Sequence, residues 1–175
     1  NGVVLLLISL GLRYSRGVWL ALAALIKMSP ASLLFVWAVN GKWRAVVEAV
    51  VTAVLGFLIA LMVCGPEVVS RFLSDTLPGL MKGDYNGLKV PLGLPANHSL
   101  TNLGHKIWPS DSRYVAADIV KQAISVIQLF GWCGIAVLAD RAKTPLAQKS
   151  AMGIAIVWMV VTPTYTYEHH LSLLF

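Results

Sequence analysis

The sequence predicts an all-α protein, a polytopic bundle of transmembrane helices, and three observations indicate this class. Of 175 residues, 57% are hydrophobic and only 13% are charged, whereas a water-exposed surface usually has about 25–35% charged residues. Several apolar runs approach the roughly 20 residues that a spanning helix needs. The basic residues stand in ones and twos between these runs, as they do in membrane loops. A soluble globule and a disordered chain are excluded, and no nucleic-acid partner is expected because no contiguous basic face is present.

Three apolar runs are predicted to cross the membrane, and two more are cut by the ends of the chain. Since the chain begins and stops inside apolar runs, we expect residues 1–175 to form a single, incomplete transmembrane domain of a longer protein. The predicted spans are Ala45–Cys64, Gln122–Ala139 (extended backwards through Val115–Val120) and Ser150–Tyr167, and the cut runs are Gly2–Leu12 and Leu171–Phe175.

The run Gly17–Val39 has a lysine, Lys27, near its centre, followed by Pro30. Basic residues flank both of its ends, so a single span would leave one basic pair outside, against the positive-inside rule. A re-entrant hairpin of two short helices keeps both pairs inside, and a Pro-kinked single span is the alternative. The flanking pairs are Arg13 with Arg16 and Lys42 with Arg44.

The short basic loops around Lys42 and Lys143 are predicted to face the cytoplasm. Following the spans from there, residues 65–114 form a long extracytoplasmic loop, and residues 165–170 emerge on the same outer side. Within the loop, Pro66–Leu77 places apolar residues at helical spacing and predicts a short amphipathic helix at the membrane interface.

A lysine in the middle of an apolar run is a functional candidate because its charge is costly at membrane depth. At the end of a broken helix, the Lys27 ammonium could hold a phosphate or a carboxylate. The alternative is a structural lysine whose long side chain snorkels to the interface.

The second candidate is the cluster Glu168-His169-His170, preceded by Tyr167. Histidine titrates near neutral pH and suits acid–base work or phosphate contact, so an active-site role is predicted, with plain interfacial polarity as the alternative. No metal is expected, because the two histidines are adjacent rather than spaced i, i+4 for joint ligation.

The third candidate is the outer-loop sequence Asn97-His98-Ser99-Leu100, with Asn102 and His105 close behind it. Asn97, Ser99, Asn102 and His105 are assigned as substrate-binding candidates. Two alternatives stay open: Asn97 or Ser99 caps a short helix, or the Asn-x-Ser pattern is a glycosylation acceptor.

Five short motifs follow one another along the chain: Gly17 to Pro30, Gly41-Lys42-Trp43-Arg44, Cys64-Gly65-Pro66-Glu67, Asn97-x-Ser99-Leu100, and Pro163 to Glu168-His169-His170. Together they resemble the membrane glycosyltransferases of family 87, which use polyprenyl-phosphate sugars and include many mannosyltransferases. The resemblance covers nearly the whole chain, and two departures stand out. Leu103-Gly104-His105-Lys106 replaces a region that often contains arginine, and Tyr167 replaces the usual tryptophan.

The resemblance implies a C-type glycosyltransferase fold in a bacterial plasma membrane and inverting transfer of a hexose, mannose above all, to a lipid or glycan acceptor at the outer face. It implies Glu168, His169 and His170 as catalytic residues, and Lys27, Asn97, Ser99, Asn102, His105 and Tyr167 as substrate-binding residues. The donor is a polyprenyl-phosphate sugar within the membrane lipid, and no cofactor is required. The family's catalytic aspartate belongs to a first outer loop upstream of this sequence, so the chain alone is expected to be inactive.

A transporter or flippase is the alternative from another functional class. It would use Lys27 and Glu168 as intramembrane charges, as broken-helix transporters do. A transferase needs its polar groups in one outward-facing cavity, whereas a transporter needs access to them from both sides.

Overall fold

The computed structural model describes residues 2–81, 84–85, 88–89, 91–95 and 97–162. Helices dominate this described part, and its strands are one antiparallel pair of two residues each, β1 (Asp84–Tyr85) and β2 (Leu88–Lys89). The predicted all-α class is confirmed. The helices are α1 (Gly2–Tyr14), α2 (Gly17–Ile26), a 3-10 turn (Ser29–Ser32), α3 (Leu33–Val39), α4 (Trp43–Cys64), α5 (Pro66–Arg71), a π-turn (Phe72–Thr76), α6 (Leu77–Met81), α7 (Leu100–Ile107), α8 (Asp118–Arg141) and α9 (Pro145–Val161).

Two of the described helices, α4 and α8, are long and apolar enough to span a membrane. Their 22 and 24 residues have apolar stretches of mean hydropathy 2.6 and 1.7. Both leave most of that apolar surface uncovered by the rest of the protein, which suits contact with lipid. The span predicted at 45–64 is confirmed. The run predicted at 122–139 lies within α8, which extends it backwards only to Asp118 and not to Val115.

Helix α9 differs from its prediction. The sequence predicts a span over residues 150–167, whereas the helix in the structure runs from Pro145 to Val161. It begins earlier because the Thr144 hydroxyl accepts a hydrogen bond from the Ala147 N–H and Pro145 occupies the first helical position. These capping residues set the start of the helix, so it lies before the apolar run from which the span was predicted. The last part of the predicted span, and the run 171–175, lie outside the described residues.

The segment 17–39 is broken rather than continuous. Helix α2 ends at Ile26, and Lys27 adopts an extended conformation (φ −147°, ψ 118°). Pro30 explains the break, because its ring lacks an N–H and would clash with the carbonyl four residues earlier, which is that of Ile26. The chain then passes through the 3-10 turn into α3.

Both ends of this segment lie at the same end of α4, so the structure adopts the hairpin alternative. At the start of α2, Gly17 lies directly against Ala45 and Ala49 near the start of α4, and Leu25 lies against Gly56 further along it. Helices α2 and α4 are therefore parallel. Since α3 ends only four residues before α4 begins, it must return to the side from which α2 started. We call residues 17–39 the hairpin and residues 27–32 its tip.

Small residues allow the hairpin to pack closely on α4. A side chain on Gly17 would overlap the carbonyl oxygen of Ala45, so only glycine fits there. Small residues at such contacts let helix backbones approach and gain dispersion energy, which drives helix association in membranes. Ala45 and Ala49 are both almost fully buried in this contact.

The core lies where α1, the hairpin, α8 and α9 meet. Leu33, Val36 and Trp37 of α3 are buried in it. Phe35, on the exposed face of α3, packs edge-to-face against Trp132 of α8, with 5.8 Å between the ring centroids. Helices α8 and α9 pack antiparallel, since the Trp158 ring lies against Gly131 and Gln128 donates to the Thr162 carbonyl.

The predicted short helix in the outer loop begins at Pro66 as expected, but helical structure continues through the π-turn to Met81. Further along, α7 packs against the first part of α8, where Gly104 lies against Val120. The Leu92 N–H donates to the Arg113 carbonyl, which ties the segment before α7 to the segment after it.

Candidate functional site

Lys27 lies at the tip of the hairpin, deep along the bundle. The ten residues of α2 correspond to about 15 Å of rise from the level at which α4 begins. The lysine is half-buried, and within the described residues its ammonium has no hydrogen bond or ion pair. The 3-10 turn that follows it contacts α9. A cation at this depth that has no acidic partner among the described residues is available for an anionic ligand.

Glu48, at the base of the hairpin, is a charged residue whose partners are all supplied by the fold. Its carboxylate accepts from the Arg16 guanidinium at 2.9 Å and from the Gly17 N–H at 3.2 Å, and it lies 3.4 Å from the Arg44 guanidinium. It therefore neutralises basic residues from both flanks of the hairpin. This role could not be predicted from the sequence, because Gly17 and Arg16 lie 31 and 32 residues earlier in the chain.

Asn97, Ser99 and Asn102 form a buried hydrogen-bonded group, which we call the outer cluster. The Ser99 N–H donates to the Asn97 side-chain oxygen, and the Ser99 hydroxyl accepts from the Asn102 N–H at 3.1 Å. The Asn102 amide donates to the Asn97 carbonyl. The predicted cap is thus confirmed for Ser99, which begins α7. Burial of Asn97, whose amide donates to the Leu92 carbonyl, disfavours the glycosylation alternative.

Two polar atoms beside this cluster are buried without a hydrogen-bond partner in the described part of the chain. They are the side-chain oxygen of Asn102 and Nδ1 of His105. An unpaired buried polar atom costs free energy unless something binds it. Both residues belong to α7, one turn apart, so they mark one place that a ligand or water can occupy.

An apolar groove of about 270 Å³ lies between α7 and the first part of α8. We call it the outer groove. It shares α7 with the outer cluster, and its walls are almost wholly hydrocarbon. The residues that line it are Leu100, Leu103, Gly104, Ile107, Trp108, Ile119, Val120, Ala123, Ile124 and Ile127.

The remaining predicted site residues, Tyr167, Glu168, His169 and His170, lie outside the described residues. The structure does describe the helix that precedes them in the chain, α9. Helix α9 ends beside Thr162, whose carbonyl accepts from Gln128, ten residues inside α8. The structure therefore gathers Asn97, Ser99 and Asn102 with His105 nearby, and places Lys27 on a separate element.

The described residues contain no group of three His, Cys, Asp or Glu side chains that could hold a metal ion. Asp118 is paired with Lys121 at 2.9 Å, and Glu67 with Arg71 at 2.9 Å. The candidate chemistry of this part of the chain therefore depends on a lysine, amides and an imidazole.

Comparison with known proteins agrees with the resemblance in sequence. The model of glycosyltransferase family 87 matches residues 1–163, which is most of the chain. No curated protein and no solved structure gives a significant match.

Proposed function

Since the chain belongs to glycosyltransferase family 87, we propose that this membrane glycosyltransferase transfers a hexose, mannose in the first place, from a polyprenyl-phosphate sugar to a lipid or glycan acceptor. Transfer takes place at the outer face of a bacterial plasma membrane, where residues 65–114 and 165–170 lie. Membership of a glycosyltransferase family favours this function over a transporter or flippase. The observation that carries the proposal is Lys27 at the tip of the hairpin, which forms no ion pair with any residue that the structure describes.

The depth of Lys27 favours a lipid-linked donor. A nucleotide sugar is water-soluble and presents its phosphates at the membrane surface, whereas a polyprenyl phosphate has its phosphate at the end of a chain that stays in the bilayer. The tip lies about 15 Å beyond the start of α4 along the bundle. A cation fixed there meets the phosphate of a lipid more readily than that of a soluble donor.

The outer groove suits the hydrocarbon part of such a donor. Its walls are apolar, and several of its residues, including Ile107 and Leu103, are exposed. An isoprenoid chain in this groove would place polar groups near Asn102 and His105, whose buried atoms need partners. In this proposal Asn97 and Ser99 hold α7 in place, and Asn102, His105 and Tyr167 bind the sugar or the acceptor.

The reaction is a substitution at the anomeric carbon. The acceptor hydroxyl oxygen forms the new bond, the bond from that carbon to the phosphate oxygen breaks, and polyprenyl phosphate leaves with the bonding electrons. A general-base carboxylate takes the hydroxyl proton. Lys27 with His169 or His170 stabilises the charge that grows on the phosphate, which is where a fixed cation has its largest effect. In this proposal Glu168 has the role of orienting the histidines, and the scheme requires no metal.

The test is a transfer assay on the native protein in proteoliposomes, with radiolabelled mannose on polyprenyl phosphate, glucose on the same carrier, and a nucleotide-linked mannose. We expect transfer from the polyprenyl donors and a preference for mannose. Lys27→Met keeps the length of the side chain and removes its charge, and it is expected to lower kcat by about 10²–10³-fold. His170→Ala tests the same role independently.

Lys143→Met is the matched control, because Lys143 is exposed on the inner loop and hydrogen-bonds only to the Asp140 carbonyl there. It should retain full activity. Use of the nucleotide sugar in place of the polyprenyl donors would overturn the donor assignment. Unchanged kcat in Lys27→Met protein that reaches the membrane in normal amounts would remove Lys27 from the site.

A further inference from the structure

A second cavity, of about 360 Å³, lies at the opposite end of the bundle. We call it the inner cavity. It is enclosed by the last turn of α1, the end of α3 and the first turns of α9. This is the end at which both basic flanks of the hairpin lie, and it is remote from the outer cluster and the outer groove along α8. The proposed transfer reaction makes no use of it.

Apart from Pro145 at the start of α9, the lining of the inner cavity changes from polar to apolar in the same direction along α9, along α3 with the turn after it, and along α1 with the residue after it. On α9, Gln148 and Lys149 precede Met152 and Ile156. The same order holds elsewhere: polar lining residues lie towards the inner end and apolar ones towards the middle of the bundle. The polar set is completed by Ser15, Asn40 and Lys42, and the apolar set by Leu12 and Trp37.

The charge of the inner cavity is positive and uncompensated. Lys42 and Lys149 both line it, and neither forms an ion pair with an acidic residue of the described chain. Glu48, the acidic residue nearest to Lys42 in sequence, is already paired with Arg16 and Arg44. The remaining acidic residue of this end, Asp140, is exposed to solvent and does not line the cavity.

We propose that the inner cavity binds an anionic phospholipid of the adjacent leaflet, with its phosphate between Lys42 and Lys149 and the start of an acyl chain against Trp37 and Met152. Basic pockets between transmembrane helices on the cytoplasmic side are typical sites for anionic headgroups. A free phosphate ion accounts for the two lysines, but it leaves the apolar half of the cavity without an occupant. The polarity gradient matches an amphiphile that is oriented as a membrane lipid is.

Gly153 offers a way to test the cavity without altering its charge. It lines the cavity, and a side chain added there would meet no atom of the protein within 4 Å. Gly153→Leu therefore fills empty space rather than displacing neighbours. Because glycine inside a helix is less favourable than other residues by about 0.5–1 kcal/mol, the variant should fold at least as well as the native protein.

The experiment measures lipid retention by native mass spectrometry after exchange into micelles with equal amounts of phosphatidylglycerol and phosphatidylcholine. The native protein should retain phosphatidylglycerol preferentially. At roughly 1 kcal/mol for each lysine near the membrane surface, Lys42→Met/Lys149→Met should reduce that preference about 30-fold. Gly153→Leu should abolish retention although both lysines are intact. Lys42→Arg/Lys149→Arg, which keeps both positive charges, should retain the preference that the double methionine variant loses.

Lys143→Met is the control for general surface charge, since Lys143 belongs to the same inner loop but does not line the cavity. It should leave the preference unchanged. Equal retention of the two lipids by native protein, or an equal loss in Lys143→Met, would overturn the proposal. Displacement of the lipid by millimolar inorganic phosphate would identify a site for a soluble anion and overturn the lipid assignment. Sugar transfer by each variant is measured separately, so failure here is distinguishable from failure of the proposed reaction.

Discussion

Glu48 and Lys27 are charged side chains on neighbouring parts of the bundle, and the fold treats them in opposite ways. At the base of the hairpin, Glu48 is surrounded by two guanidinium groups and a backbone N–H. At the tip, Lys27 has no partner in the described chain. A charge whose partners are supplied by the fold stabilises the fold, whereas one without partners is costly and points to a ligand.

The two residues that cap helices, Thr144 and Ser99, differ in a similar way. Thr144 caps α9 at an exposed site, where water can replace the hydroxyl. Ser99 caps α7 inside a buried group, next to atoms of Asn102 and His105 that lack partners. Pairing and solvent access together decide which polar residues are structural, more than residue type does.

The largest effect on stability is expected from a substitution where the base of the hairpin packs against α4. Gly17→Leu places a side chain on top of the Ala45 carbonyl, so α2 and α4 must separate and the contacts of Glu48 with Arg16 and Gly17 are lost together. We expect little folded protein after detergent extraction, as judged by size-exclusion chromatography.

Gly134→Ala is the matched control for Gly17, because a side chain there meets open space within a helix. It should leave the yield unchanged and raise stability by about 0.5–1 kcal/mol. Normal yield and a normal melting temperature in Gly17→Leu would show that the close contact between α2 and α4 is not required.

The second effect is a change in stability that has opposite signs when the charge of Glu48 and the charge of Lys27 are removed. Glu48→Gln leaves Arg16 and Arg44 without a counter-charge and should lower the melting temperature. Lys27→Met removes an unpaired charge from an apolar setting and should raise stability on the order of 1 kcal/mol while sugar transfer falls. Thermal unfolding monitored by tryptophan fluorescence measures both. A fall in stability in both variants would mean that Lys27 is a structural residue with a partner in the fold.

The smallest effect separates the two helix caps. Ser99→Ala removes the acceptor for the buried Asn102 N–H and should cost about 1–2 kcal/mol. Thr144→Ala removes an exposed cap and should cost about 0.5–1 kcal/mol. Hydrogen exchange of the first turns of α7 and α9 measures each change locally. Equal costs would argue that burial does not distinguish the two caps.

Much of the fold follows from local features of the sequence. The apolar run after Trp43 predicts α4, Pro66 marks the start of the outer helix, and Ser99 predicts the cap of α7. The hairpin required one further step, in which the basic residues on both flanks of 17–39 were assigned to one side of the membrane. For α4, the outer helix and the cap of α7, the determining residues are close together in the chain, whereas the hairpin follows from the distribution of charge between the two sides of a membrane.

Other features could not be predicted because they depend on residues that are distant in sequence. Two of the partners of Glu48, Arg16 and Gly17, lie at the start of another helix, and the need for glycine at position 17 arises only when α4 packs against it. The inner cavity likewise joins three separate elements. Of the candidate site, the Ser99 cap was among the sequence predictions, whereas the burial of Asn97, Ser99 and Asn102 and the unpaired atoms of Asn102 and His105 depend on how α7 packs. The roles assigned to Tyr167, Glu168, His169 and His170 remain predictions.

The pairing of Glu48 also has a consequence for how the protein is made. Arg16, Gly17 and Arg44 all precede Glu48 in the chain, and synthesis proceeds from the amino terminus. When Glu48 leaves the ribosome, the groups that neutralise it have already been translated, and a hairpin with its base beside the coming helix can receive the carboxylate at once. The order of the residues along the polypeptide thus spares the growing chain a stage in which this acidic group enters the membrane without its partners.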